Sequence, residues 1–293
     1  MSDAQLPDGT AIGRVALRVN DLDRLAAFYE SVVGLEVLAR DDDRASLGVD
    51  GTALLELVAA PEAPERGRAE TGLFHTAFRV PSRAALADAL GRIEEHWHLD
   101  GASDHRVSEA LYLSDPEGNG IEIYRDRPRS AWPTEGGRVQ MDTLPLDLDD
   151  LREAADGDAG AAADQNAAAS PETAPAGTTV GHVHLEVSSL SGARAFYVDA
   201  LGLALRQAYG ASALFVAAGG YHHHVGLNVW NGRTEPPSGR GLAWFEVVVP
   251  DETTLAAARK RLEEDGFDPT ATPEGVEVAD PDGIPVRLRV GDR

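Results

Sequence analysis

The side chains able to bind a metal or move a proton are unevenly spread along this chain. Of its nine histidines, none precedes Phe74. His75, His105, His182, His184 and the run His222, His223 and His224 stand on strand-like stretches or on the loop before one, whereas His96 and His98 follow a helical stretch beside Trp97 and read as surface. Glu122 lies between Ile121 and Ile123 on an alternating segment, so its carboxylate faces either solvent or a polar cavity. Singly, His75 and His182 read as hydrogen-bonded strand histidines. Taken with Glu122 they offer two neutral imidazoles and one carboxylate, the donor types of a facial triad with open positions, suited to non-haem Fe(II) or Mn(II). The chain has no cysteine, which excludes thiolate sites and disulfides.

The elements that must hold these groups recur along the chain. The segment Ser103 to Tyr124, SDHRVSEALYLSDPEGNGIEIY, reads as a loop bearing His105, a strand over Ala110 to Leu113 bearing Tyr112, a turn from Asp115 to Gly120, and a return strand that presents Glu122. Self-comparison then shows a repeat. Gly13-Arg14-Val15-Ala16-Leu17-Arg18-Val19, Phe28-Tyr29 and Gly34-Leu35 return as Gly181-His182-Val183-His184-Leu185-Glu186-Val187, Phe196-Tyr197 and Gly202-Leu203. Gly72-Leu73-Phe74-His75 returns as Gly241-Leu242-Ala243-Trp244, and Asp115-Pro116-Glu117-Gly118 as Asp280-Pro281-Asp282-Gly283.

Each module opens with an alternating strand, continues into an amphipathic helix and closes with short strands. Helices are expected over Leu22 to Val33, Ser82 to Glu95, Ser191 to Leu201 and Glu252 to Glu264, with Asp21 and Ser82 as N-caps and Gly34 and Gly202 as stops. The expected fold class is α+β, four βαβββ modules in two tandem domains, residues 8–126 and 178–291. Residues 127–177 connect them. Trp132, Val139 and Leu144 are expected to pack on the first domain, and the Ala-, Asp-, Gly- and Pro-rich stretch from about Arg152 reads as flexible.

Composition narrows the function classes. A formal net charge of −23 argues against nucleic acid as a partner, because binding phosphates needs an excess of cations. No apolar run reaches the roughly 18 residues of a membrane span. The N-terminal MSDAQLPDGT lacks the basic and apolar regions of a signal peptide, so a cytoplasmic location is the expectation. Lys260 is the sole lysine, and the acid excess reads as a solvated surface suited to high salt, hence a halophilic source. Whether the chain forms a homo-oligomer is left open.

In their module order, GLFHTAF, SDHRVSEALYLSDPEGNGIEIY and GHVHLEV resemble the vicinal oxygen chelate (glyoxalase/bleomycin resistance/extradiol dioxygenase) superfamily, and within it the catechol 2,3-dioxygenase-like ring-cleaving enzymes. The likeness covers nearly the whole chain apart from the acidic linker. His105, Leu111-Tyr112, Asp115-Pro116, Gly118 and Glu122 have the spacing of the extradiol signature, which this sequence departs from at Ser103. The resemblance implies two tandem vicinal oxygen chelate domains whose curved mixed sheets form incomplete barrels. It implies Fe(II)-dependent, or alternatively Mn(II)-dependent, cleavage of a catechol or hydroquinone by O2, so a small aromatic diol and O2 are the implied partners. By residue, it implies that His75, Glu122 and His182 hold the metal and that His105 and Tyr112 contact substrate or oxygen. The HHHVGLN segment resembles the strand bearing the acid–base histidine, with His224 the first choice and His223 the second.

In each copy taken alone the donor set is incomplete. Arg14 stands where His182 would be needed in the first copy, and Trp244 and Arg287 stand for His75 and Glu122 in the second. An intact site therefore requires modules two and three to combine across the copies, or between two chains, leaving modules one and four as a metal-free barrel. His184 shares a strand face with His182, so it lines the cavity or replaces it as ligand. His222 reads as structural, and Asn228 as a strand hydrogen bond or a substrate contact. Two other classes compete. Pairing of modules one and two would set Glu56 beside His75 and Glu122 in a glyoxalase-type isomerase, with Arg14 in place of a fourth ligand. A metal-free, drug-sequestering binding module would leave the histidine distribution unexplained.

Overall fold

The computed structural model describes residues 5–136, 138–157 and 172–291. The four alternating sequences form strands Ala11–Val19, Gly72–Arg79, Thr179–Glu186 and Gly241–Val249. An eight-stranded sheet runs in the order Thr270–Thr272, Gly275–Ala279, Pro285–Val290, Gly241–Val249, Ala11–Val19, Thr52–Ala59, Arg44–Val49 and Glu36–Arg40. A nine-stranded sheet runs Leu144–Pro145, Gly101–Asp104, Ser108–Ser114, Gly120–Asp126, Gly72–Arg79, Thr179–Glu186, Val225–Asn228, Ala213–Ala217 and Ala204–Tyr209. The opening strands of modules two and three are thus neighbours in one sheet and those of modules one and four in the other, the pairing that the division of donors requires. By compactness the described residues fall into two units, 5–18 with 62–74 and 181–291, and 19–61 with 75–180.

In the first unit, Ala11–Val19 runs antiparallel to Gly241–Val249, which in turn runs parallel to Pro285–Val290 with Glu246 opposite Arg287. Thr179–Glu186 runs parallel to Val225–Asn228 with His184 opposite Gly226. A Cβ at Gly226 would stand 2.4 Å from the His184 ring, so the absence of a side chain there is what admits the imidazole. Helix Glu252–Glu264 buries Leu255, Ala258 and Leu262 on one stripe, and the Asp251 side chain caps it by accepting from the Thr254 N–H.

In the second unit, helix Leu22–Phe28 is capped by Asp21 and helix Arg83–His96 by Ser82, each side chain accepting from the N–H three residues on. The first continues as a π turn over Tyr29–Val33 and stops at Gly34, whose φ of 85° suits glycine. The second buries Leu86, Leu90 and Ile93 on one stripe. Gly72–Arg79 runs parallel to Gly120–Asp126, with His75 opposite Gly120 and Ala77 opposite Glu122. Ser108–Ser114 runs antiparallel to the same strand and sets Tyr112 opposite Glu122.

One carboxylate ties down the turn that launches the last strand of each copy. Asp115 Oδ1 accepts from the N–H groups of Glu117 and Asn119, both at 2.9 Å, and its Oδ2 accepts from the Tyr29 hydroxyl at 3.1 Å. Asp280 repeats this with the N–H groups of Asp282 and Ile284, both at 2.9 Å, and the Tyr197 hydroxyl at 3.0 Å. Burial pushes the Asp115 carboxyl upward and that of Asp280 up to about 6. The aspartate–proline turn is therefore a fixed base from which Gly120–Asp126 delivers Glu122.

The connecting segment departs in part from its expected form. Trp132 and Val139 are buried, but Leu144 is 36% exposed; its stretch joins the sheet through backbone pairing of Leu144 with Asp104 instead of through its side chain. Helix Leu148–Gly157 carries ordered chain past Arg152, whose guanidinium pairs with Glu94 at 2.6 Å. The rest of the stretch expected to be flexible, residues 158–171, lies outside the described residues. Among the described residues no helix is long and apolar enough to cross a membrane.

Candidate metal centre

In the second unit, His75 Nε2 lies 3.0 Å from Glu122 Oε2. Both side chains are buried, at 5% and 3% exposure, so the carboxylate between two isoleucines points inward. Tyr112 completes this group. Its hydroxyl lies 2.6 Å from His105 Nε2, and His105 Nδ1 lies 2.7 Å from the Asp142 carbonyl oxygen. A carbonyl only accepts, so Nδ1 bears the hydrogen, and the neutral ring then accepts from the Tyr112 hydroxyl at Nε2. Burial, with the Glu122 carboxylate as the next cause, pushes the Tyr112 hydroxyl well above the usual phenol range. Arg106, next to His105, adopts a left-handed backbone with φ of 66°, the one bend that lets the loop return to Ser108–Ser114; its N–H donates to Asp104 Oδ1 at 2.7 Å.

In the first unit, His182 is 2% exposed and its ring centroid lies 4.1 Å from that of His223. His223 Nδ1 is 2.7 Å from His222 Nδ1, so one imidazole donates to the other. His224 Nδ1 accepts from the Ala218 N–H at 3.1 Å, and its ring lies 4.9 Å from that of Tyr221. Asn228 is fully buried and donates to the Leu185 carbonyl at 3.2 Å, the strand hydrogen bond foreseen for it. His184 packs against Phe74, Phe215 and Trp230.

His75, Glu122 and His182 each offer a ligand atom, and these atoms lie within 4.8 Å of one another. Two imidazoles and a carboxylate, all out of water, are a donor set that fits a divalent first-row ion, so the residues present match the metal that the sequence implies. The equivalent positions of modules one and four are filled differently. Arg14 donates to Glu246 at 2.6 Å and also pairs with Glu274, and the Arg287 guanidinium sits 4.0 Å over the Trp244 ring while pairing with Glu277 at 2.7 Å. Cations held by carboxylates and an indole have no lone pair to give a metal. Glu56, the fourth donor of the isomerase reading, accepts from the Ser46 hydroxyl at 2.9 Å. His96 and His98 are at the surface, as expected.

Sequence reasoning passed over Phe74, Phe215 and Trp230, which ring the imidazoles of the first unit, and over Glu186, which accepts from Arg66 at 2.6 Å and Asn231 at 2.5 Å and pairs with Arg233 at 2.7 Å. The position of Glu186 two residues beyond His184 was the available signal, because it repeats the inward face of that strand.

A family model described as the Glyoxalase/Bleomycin resistance protein/Dioxygenase superfamily matches residues 11–123 and 179–288, one match per repeat copy. The chain is 43% identical to catechol-2,3-dioxygenase of Bacillus subtilis over 283 residues, 94% of this chain and 95% of the other. It is 28% identical to biphenyl-2,3-diol 1,2-dioxygenase 3 of Rhodococcus globerulus over 119 residues, 39% of this chain and 63% of the other. Among solved structures, glyoxalase I of Zea mays shares the fold with a TM-score of 0.59 at 18% identity, over 96% of this chain and 92% of that one.

Proposed function

Because the chain belongs to the glyoxalase/bleomycin resistance protein/dioxygenase superfamily, we propose that it is an extradiol-type ring-cleaving dioxygenase that inserts both atoms of O2 into a catechol or hydroquinone, with Fe(II), or in second place Mn(II), held by His75, Glu122 and His182. The observation that carries this reading is the gathering of those three buried donors. Its support from comparison is the relationship to the Bacillus subtilis catechol-2,3-dioxygenase along almost the full length of both chains. When bound, the ion would act as a Lewis acid toward the diol oxygens and couple them electronically to O2.

The chain's own residues supply position, protons and hydrogen bonds. Tyr112 keeps its hydrogen throughout the neutral range, because burial and the Glu122 charge both oppose the phenolate, so it serves as a fixed hydrogen-bonding group and not as a base. His105, oriented by the Asp142 carbonyl, holds that hydroxyl in place. Together they would steady charge developing on substrate oxygen. A histidine of the 222–224 run would take the second hydroxyl proton and return it later in the cycle. The contact of His223 with His182 supports His223 in that role ahead of His224. His224 accepts at Nδ1, so its neutral ring carries hydrogen at Nε2 and can only donate from there.

The test is metal analysis of anaerobically purified protein followed by oxygen uptake with a panel of catechols and hydroquinones. Iron near one equivalent and one O2 consumed per diol are expected, with both lost in His182→Ala. Uptake that survives Ala at residue 182 but fails on Glu56→Ala would point instead to a site built from modules one and two. The acid excess supports a second, independent proposal, that the protein works in high salt. Equal stability at low and molar KCl would count against it.

A further inference from the structure

In the first unit, Phe74, His184 and Trp230 pack pairwise edge to face. The centroid distances are 5.5 Å for Phe74 and His184, 5.3 Å for Phe74 and Trp230, and 5.2 Å for His184 and Trp230, with ring planes 78°, 75° and 71° apart. Such geometry is the preferred one for aromatic contacts. The trio has a solvent side, because Trp230 is 46% exposed, an uncommon state for the largest apolar side chain. It also has an inner side. Phe215 lies 5.6 Å from His184 and 5.1 Å from His223, and His223 lies 4.1 Å from His182, so rings in contact lead from water to a proposed metal ligand.

Two features show that the trio is built and not incidental. Gly226 leaves the space that the His184 ring occupies. The backbone N–H of Trp230 donates to Asn228 Oδ1 and its indole N–H to the Ser212 hydroxyl, both restraining an exposed ring. The neighbouring charges are already matched. Glu186, next on the inward face after His184, is 3% exposed and bound by Arg66 and Arg233 at 2.6 and 2.7 Å. Arg66 also donates to the carbonyls of Glu70, Thr71 and Leu73, and Arg233 to those of Gly67, Arg68 and Glu70. Both guanidiniums are thus committed to holding the 66–74 strand approach against the 229–235 turn, and neither is placed to receive a substrate carboxylate without giving up a buried partner.

We propose that Phe74, His184 and Trp230 form the subsite for an uncharged alkyl or aryl substituent on the diol ring, making the chain selective for apolar-substituted diols over carboxylated ones. The substituent lies edge-on to Trp230 and Phe74, as they lie to each other, while the diol end reaches the donors beyond His223. This rests on the ring-cleaving reading above and names its substrate class.

The test compares phenylcatechol, unsubstituted catechol and 3,4-dihydroxyphenylacetate by oxygen uptake in the iron-loaded protein. In the native chain kcat/KM for phenylcatechol exceeds that for the carboxylated diol. In Trp230→Ala the ratio of kcat/KM for phenylcatechol to that for catechol falls about tenfold, the worth of a lost aromatic contact, and Trp230→Phe restores most of it. A second readout needs no turnover: anaerobic titration with phenylcatechol quenches tryptophan fluorescence in the native protein and quenches it far less in Trp230→Phe. An unchanged ratio in Trp230→Ala, quenching that is the same in Trp230→Phe, or a native preference for the carboxylated diol overturns the subsite. Absence of oxygen uptake with every diol would overturn the ring-cleaving reading instead, and the fluorescence titration would still report whether the aromatic trio binds the apolar ring.

Discussion

Tyr112 stands directly opposite Glu122 across the antiparallel ladder, while Glu122 Oε2 lies 3.0 Å from His75 Nε2. One buried carboxylate is thereby addressed by an imidazole on one neighbouring strand and a phenol on the other. If the carboxylate and imidazole are metal donors, each is indispensable in a way an ordinary buried pair is not. Glu122→Gln keeps the shape and a hydrogen-bond acceptor but removes the charge that would balance a divalent ion. It is expected to abolish bound iron in metal analysis and to lower kcat by more than the roughly 10- to 100-fold seen when an outer partner of a metal site is lost. Retention of full iron content in Glu122→Gln would remove the carboxylate from the donor set.

Tyr112→Phe separates holding the metal from steadying substrate oxygen. The hydroxyl bonds His105, and its hydrogen is kept by burial and by the Glu122 charge. The ring itself remains in Phe and packs as before. Iron content should stay at the native level while kcat falls by about 10- to 100-fold. Loss of iron in parallel with kcat would mean that Tyr112 instead supports the position of Glu122.

Residues such as these show how far the sequence could be read. Alternation fixed which side chains share a strand face, and the return of Asp115 as Asp280 marked the turns, so His75, Glu122 and His182 were legible as a set before any coordinates. Whether Glu122 faced inward was not, because a single charged residue between two isoleucines reads identically on either face. The 222–224 run resisted for a different reason. It lies in irregular backbone just before strand Val225–Asn228, so no period of two assigns its faces, and only the contacts set His223 beside His182 and His224 against Ala218. The contact of Phe74 with Trp230 joins residues far apart in sequence, and no local pattern encodes it. The helix through Arg152 was hidden by a composition that reads as linker, and its pairing with Glu94 is likewise a distant contact.

His223 and His224 can be told apart by kinetics. Substituting the proton-moving residue removes acid–base help worth roughly 10²- to 10⁴-fold in kcat. Substituting a residue that only donates one hydrogen bond costs much less. His223→Gln is therefore expected to lower kcat by at least about 100-fold, and His224→Gln by less than about tenfold, both with native iron content. The reverse order would return the acid–base role to His224 and make its bond with the Ala218 N–H one that opens when substrate binds.

Asp280 predicts a pH dependence of stability whose sign is fixed by its surroundings. Burial raises this carboxyl from 3.8 to about 6, against the lowering influence of the Ile284 N–H and the Tyr197 hydroxyl and with Asp282 adding a like charge. A raised value means that the folded chain holds the proton more tightly than the unfolded one. The resulting stabilisation is complete below the unfolded value and is lost as pH rises through about 6. A shift of that size corresponds to about 3 kcal/mol between the two limits. Asp280→Asn cannot titrate, keeps an oxygen for the N–H groups of Asp282 and Ile284, and leaves Asp115, whose carboxyl is raised in the same direction, as an internal reference. Urea unfolding of both proteins between pH 4.5 and 7.5 should show the native chain losing stability relative to Asp280→Asn as pH increases. A difference between them that stays flat across that range would mean that the carboxylate is already ionised at the acid end, stabilised by the turn it anchors.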